Sequence, residues 1–176
     1  MSEENRALMH RWFEEVWNKG RAEAIDELFA EEGIANGLAD ERSAPLRGPA
    51  GFKPFFQRFR DAFPDIEVIV EDTVAEGDKV AARCRVRATH QGEGLGFAAT
   101  NRPVEFAGIS IVRIKDGKIV EAWNNFDFMS MYQQLNIAWK TRRATVKKIS
   151  FFRRTYETGI GGPNAPIPVR SWSRTE

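Results

Sequence analysis

Residues 51–70 read GFKPFFQRFRDAFPDIEVIV, and the change of period at Pro64 within that stretch decides the fold. Before the proline, Phe52, Phe55, Phe56, Phe59 and Phe63 recur every three or four residues, the spacing of a helix with one apolar face. After it, Ile66, Val68 and Val70 alternate against Glu67 and Glu71, the period of two that belongs to a strand. The spacing predicts a helix that starts at about Pro49 or Gly51 and is stopped by Pro64. Pro54 is compatible with that helix only near its beginning, where a missing N–H costs least.

Upstream, Leu8, Met9, Trp12, Phe13, Val16 and Trp17 place a first amphipathic helix over residues 5–18, and Gly20 follows as a stop. A short second helix carries Ala24, Ile25, Leu28 and Phe29 on one side and ends near Gly33. From Gly33 to Gly48 no apolar period persists, which predicts a long loop. His10 stands one turn before Glu14 and reads as a solvated surface residue.

Downstream, Glu76-Gly77-Asp78 is a turn, and residues 80–91 form a strand with chemically opposite faces. Ala82, Cys84, Val86, Ala88 and His90 lie on one side; Arg83, Arg85, Arg87 and Thr89 lie on the other. Gly92, Gly94 and Gly96 mark a connection, residues 104–114 the next strand, and Asp116-Gly117 a hairpin turn into a strand over 118–128. A short helix over 130–135 closes the body. Helices first and consecutive strands afterwards make an α+β fold, with the helices packed on one face of a curved antiparallel sheet.

The 176 residues carry a net charge of +1, but residues 1–137 hold 17 Lys and Arg against 23 Asp and Glu, whereas 138–176 hold 9 against 2. The chain therefore divides into one domain, 1–137, and a basic extension, 138–176, whose Pro163, Pro166 and Pro168 oppose regular structure. No apolar run is long enough to cross a membrane, and the acidic start lacks the features of a secretory leader, so a cytoplasmic protein is expected. A single cysteine, Cys84, allows no intrachain disulfide and no cysteine zinc site, and no acidic loop has calcium-binding spacing. The arginine row at 83, 85 and 87 is expected to pair with acidic residues across the sheet rather than to bind nucleic acid.

Several pieces, in order and spacing, carry a family resemblance: Phe63-Pro64-Asp65, Glu76-Gly77-Asp78-Lys79-Val80, Thr89-His90-Gln91-Gly92, Thr100-Asn101-Arg102-Pro103-Val104, Asp116 to Trp123, Asp127, and Gln134-Leu135. With Glu14-Glu15-Val16-Trp17-Asn18 in the first helix, the chain resembles the SnoaL-like polyketide cyclases over residues 5–137. That family is a branch of the cone-shaped nuclear transport factor 2-like superfamily. Asn36, Asn101 and Asn136 depart from its usual residues. The resemblance implies an intramolecular aldol condensation without metal or cofactor, with Asp127 as the acid/base near the end of the last strand.

Strict alternation along that strand places Glu121, Trp123, Asn125 and Asp127 on one face, where a carboxylate beside an indole would lose solvation and become a useful acid/base group. His90, ending the apolar face of its own strand, is the second catalytic candidate, as a donor to a carbonyl or enolate. Phe13, Trp17, Phe56, Trp123, Asn125 and Asn36 are the expected substrate contacts. Thirteen Phe and five Trp suit a flat, apolar ligand. The alternatives are a non-catalytic module binding the same kind of ligand, or an isomerase, dehydratase or epoxide hydrolase on the same fold. A homodimer through the outer sheet face is expected.

Overall fold

The computed structural model describes residues 2–38 and 44–137. Helix α1, Ser2–Arg11, passes without a break into a π-helical stretch, Trp12–Asn18, where Lys19 N–H reaches back to the Glu14 carbonyl at 2.9 Å. The wider turn puts Trp12, Phe13, Val16 and Trp17 all on the buried side. Helix α2 is Glu23–Leu28 and strand β1 is Phe29–Asn36. Strand β2, Leu46–Arg47, leads directly into helix α3, Gly48–Ala62.

Strand β1 corrects the expected loop. Phe29 continues the apolar side of α2 in sequence, but its backbone is already extended (φ −106°, ψ 132°). The strand is hidden by Glu31-Glu32-Gly33, which interrupt any alternation, and the ladder to β6 shifts register between Phe29 and Ile34. Gly48 turns β2 into α3 at φ +57°, where a Cβ would stand 2.2 Å from the Glu31 carbonyl oxygen. Pro54 lies in the second turn of α3, so the loss is the one N–H that would have bonded the Ala50 carbonyl.

Strands β3 (Glu67–Glu76), β4 (Lys79–Thr89), β5 (Pro103–Lys115) and β6 (Lys118–Phe126) follow, and helix α4 is Phe128–Gln134. Asp116 and Gly117 both have positive φ, +51° and +71°, the requirement of a tight β5–β6 hairpin turn. The sheet order is β2-β1-β6-β5-β4-β3. Its neighbours are antiparallel except β1 and β6, which run parallel, so the wholly antiparallel expectation holds only for the rest.

The inner face of the curved sheet carries Val80, Ala82, Cys84, Val86, Phe106 and Val112, buried against Trp12, Trp17, Phe52 and Phe55. On the outer face, Glu71 binds both Arg83 and Arg85, and Glu105 binds Arg85 at 2.9 Å and Arg87 at 2.8 Å. These cross-strand pairs occupy the arginine row. Val74, Ala81, Ile111 and Trp123 stand directly opposite one another across β3, β4, β5 and β6 and form an apolar stripe beside it. Among the described residues no helix is long and apolar enough to cross a membrane. The expected extension, 138–176, lies outside the described residues.

Candidate active site

A pocket lies between the inner sheet face and the helices, with about 650 Å³ of free space when its opening is counted. Trp12, Phe13 and Trp17 from the π-helical stretch form one wall with Phe52, Phe55 and Phe59 of α3. Trp17 meets Phe52, Phe55 and Phe59 edge-on, at centroid distances of 6.2, 6.2 and 6.3 Å. Phe106, Phe126 and Phe128 line the sheet side, where Phe128 touches Phe59 at 5.6 Å and Phe106 at 6.0 Å.

Apart from the indoles, the polar side chains among the described lining residues are Ser110 on β5 and Asn124 on β6, facing each other in the ladder. Ser110 Oγ donates to Asn124 Oδ1 at 2.8 Å, and Asn124 Nδ2 donates to the Asn36 carbonyl at 2.9 Å. Asn36 Nδ2 in turn donates to the Ala122 carbonyl at 3.1 Å. Gly37 lets β1 leave at this point: at φ +77°, a Cβ there would meet the Asn124 carbonyl oxygen at 2.0 Å. Among the described residues, no side chain in the lining carries a titratable acid or base.

Of the expected contacts, the structure brings Phe13 and Trp17 into the lining. Phe56 is buried outside it, packed on Trp17 at 5.6 Å. Asn36 does not line the pocket but orients Asn124. Trp123 and Asn125 face outward, which corrects their expected place in the pocket: Trp123 lies 5.5 Å from the Arg113 guanidinium, and Asn125 is exposed. The alternation from Glu121 onward holds, with that face outermost, and a register shift stands just ahead of it in β6, where Arg113 pairs with Glu121 while Ile114 pairs with Ile119. That one-residue irregularity exchanges the two faces downstream, so Ala122, Asn124 and Phe126 face inward with Ile119.

Asp127 is exposed and caps α4, its Oδ1 accepting the Ser130 N–H at 2.8 Å. It stands between two lining residues, Phe126 and Phe128. His90 is fully buried against Phe63 at 5.4 Å, outside the lining. Thr100 N–H donates to its Nδ1 at 3.2 Å, which leaves the proton of the neutral ring on Nε2, and Nε2 has no partner among the described residues. Burial pushes the His90 pKa down. Burial also pushes the Cys84 thiol up to about 12, so it is an inert core group.

Ser110, Asn124 and Phe126 were not singled out by the sequence. Gly108 was the available signal, since a glycine within a strand marks a close approach, here of the Phe126 ring across the ladder. Among the described residues no group of three or more His, Cys, Asp or Glu is placed to hold a metal ion.

The SnoaL-like polyketide cyclase family model matches residues 7–135. The aklanonic acid methyl ester cyclase DauD of Streptomyces sp. (strain C5) is 30% identical over 128 residues, covering 72% of this chain and 79% of its own. DnrD of Streptomyces peucetius, an enzyme of the same description, is also 30% identical over 128 residues, covering 72% and 88%. The crystal structure of IdmH from Streptomyces antibioticus superposes with a TM-score of 0.65 at 32% identity, covering 76% of this chain and 99% of IdmH.

Proposed function

The chain belongs to the SnoaL-like polyketide cyclase family, and from that membership and the pocket walls we propose that it closes a ring of a flat, apolar polyketide ester by intramolecular aldol addition. A base removes a proton from a carbon beside a carbonyl, the enolate carbon attacks a ketone of the same molecule, and the resulting alkoxide takes the proton back. One carbon–carbon bond forms, nothing is oxidised or reduced, and the mass is unchanged. The aromatic walls bury the rings and keep water from the enolate.

The observation that carries this reading is the division of labour between walls and border. Among the described lining residues no side chain titrates, so the proton carrier is sought beside them, and Asp127, next in sequence to the lining residues Phe126 and Phe128, is the carboxylate that the family resemblance also indicates. Ser130 holds one carboxylate oxygen, leaving the other for the substrate proton. Aklanonic acid methyl ester, the compound in the relatives' names, is the first substrate to try. The expected result is a product of equal mass and altered retention. Tight binding with no conversion would instead support a non-catalytic binding module.

A homodimer in the cytoplasm completes the proposal. Its support is the outer stripe of Val74, Ala81, Ile111 and Trp123, in which Val74 is 66% and Ile111 38% exposed. A two-fold axis through such a stripe would set apolar groups on apolar groups.

A further inference from the structure

The Ser110–Asn124–Asn36 chain of hydrogen bonds has only one consistent set of directions. The Asn36 carbonyl can only accept, so it must face the Asn124 amide nitrogen, as it does at 2.9 Å. The Asn124 amide oxygen is thereby turned to Ser110, and Ser110 must spend its proton on it, at 2.8 Å. Ser110 is 3% exposed, so little water reaches its remaining lone pairs. What the pair can still offer a ligand is an acceptor at Ser110 Oγ and the second N–H of Asn124.

We propose that Ser110 and Asn124 form a subsite that selects a free hydroxyl group, phenolic or enolic, on the polyketide, and so fix which end of a flat ligand enters at this point. A hydroxyl can donate to Ser110 and accept from Asn124 together. A ketone can only accept and leaves Ser110 unpaired. A methyl ether accepts poorly and adds bulk against the pair. Since the other described walls are apolar or offer only indole N–H groups, this is where the described lining distinguishes one oxygen pattern from another. The inference rests on the reading above of a flat, apolar polyketide ligand and adds the recognised group to it.

The probes are anthraquinone, 2-hydroxyanthraquinone and 2-methoxyanthraquinone, titrated into the full chain at pH 6 and followed by quenching of tryptophan fluorescence. The wild type is expected to bind the hydroxyl compound about five- to tenfold more tightly than the methoxy compound, the worth of one net hydrogen bond. Ser110→Ala should abolish that preference while holding anthraquinone itself within about twofold, and Ser110→Thr, which keeps the hydroxyl, should restore it. Unaltered preference in Ser110→Ala, or none in a wild type that binds anthraquinone, overturns the subsite and leaves the flat-ligand reading standing. Failure of all three probes to bind the wild type overturns both.

Discussion

Gly108 lies directly opposite Phe126 across the β5–β6 ladder, and a Cβ on Gly108 would stand 2.1 Å from the Phe126 ring. The absent side chain is what lets Phe126 lie flat against the strand and reach Phe128, at 6.1 Å and an interplanar angle of 27°. Phe128 then carries the contact to Phe59 across the pocket. Gly108→Ala should push Phe126 off this position and cost about 1–3 kcal/mol, the usual range for overpacking. Urea denaturation reads the loss, and the anthraquinone titration should show weaker binding in the same variant. Unchanged stability and binding together would mean that the wall yields at no cost.

His90 gives a pH-dependent prediction. Its neutral ring is held by the Thr100 N–H and buried, and burial places its folded pKa below the ordinary imidazole value of about 6.5. Above that value both folded and unfolded chains hold a neutral ring, so its contribution to stability is fully present. As pH falls from about 6.5 toward the lower folded pKa, the unfolded chain takes up a proton first, and stability falls by at most about 1.4 kcal/mol per pH unit from this group. With only two histidines in the chain, nitrogen-detected NMR can follow His90 directly. An Nε2-protonated ring that titrates below 6.5 is expected; an Nδ1-protonated ring would contradict the placement.

The switch from helix to strand at Pro64 was legible because two different periods meet at one proline. Strand β1 was not, since Glu31-Glu32-Gly33 carry neither period and lie in the break between its pairings to β6 at Phe29 and at Ile34 to Asn36. In the site, Phe13 and Trp17 were readable from helical spacing alone. On the last strand alternation grouped Glu121, Trp123, Asn125 and Asp127 on one face as the ladder does, but it cannot say which face is inner, and the outer Trp123 is as aromatic as the inner Phe126. Strand β5 offered no rescue: its inner Phe106 and Val112 and its outer Ile109 and Ile111 are equally apolar, so alternation could not tell pocket from surface.

The outer stripe predicts its own disruption. Ile111 sits between Ala81 and Trp123, so Ile111→Asp places a charge at the centre of the proposed contact while leaving the inner face untouched. Sedimentation at micromolar concentration should change from dimer to monomer with no loss of cooperative melting. A wild type that is already monomeric would remove the dimer from the proposal.

The body should fold without the basic extension. Asn136 takes φ +56° at the end of α4, and the Ile137 N–H bonds the Tyr132 carbonyl at 3.1 Å, which closes the helix with Ile137 packed on the core. Met131 and Leu135 of the same segment are buried. A chain ending after Ile137 is expected to keep a single cooperative thermal transition; a molten product would place part of 138–176 in the core.

Asp127 has two roles that substitutions can separate. As an N-cap it accepts the Ser130 N–H through Oδ1, a task that asparagine performs about as well and alanine does not. Asp127→Asn should therefore keep the stability of the wild type, whereas Asp127→Ala should lose about 1 kcal/mol as the first turn of α4 loses its partner. As a proton carrier, Asp127 needs a titrating oxygen, which neither variant has. Both should lose turnover by a factor of about 10² to 10⁴ while still binding anthraquinone, since the lining is unaltered. The decisive variant is Asp127→Asn, because its fold, cap and charge-free volume are preserved and only the transferable proton is gone. Full activity in Asp127→Asn would leave the residue as a helix cap and move the search for the acid/base group to the other residues bordering the pocket.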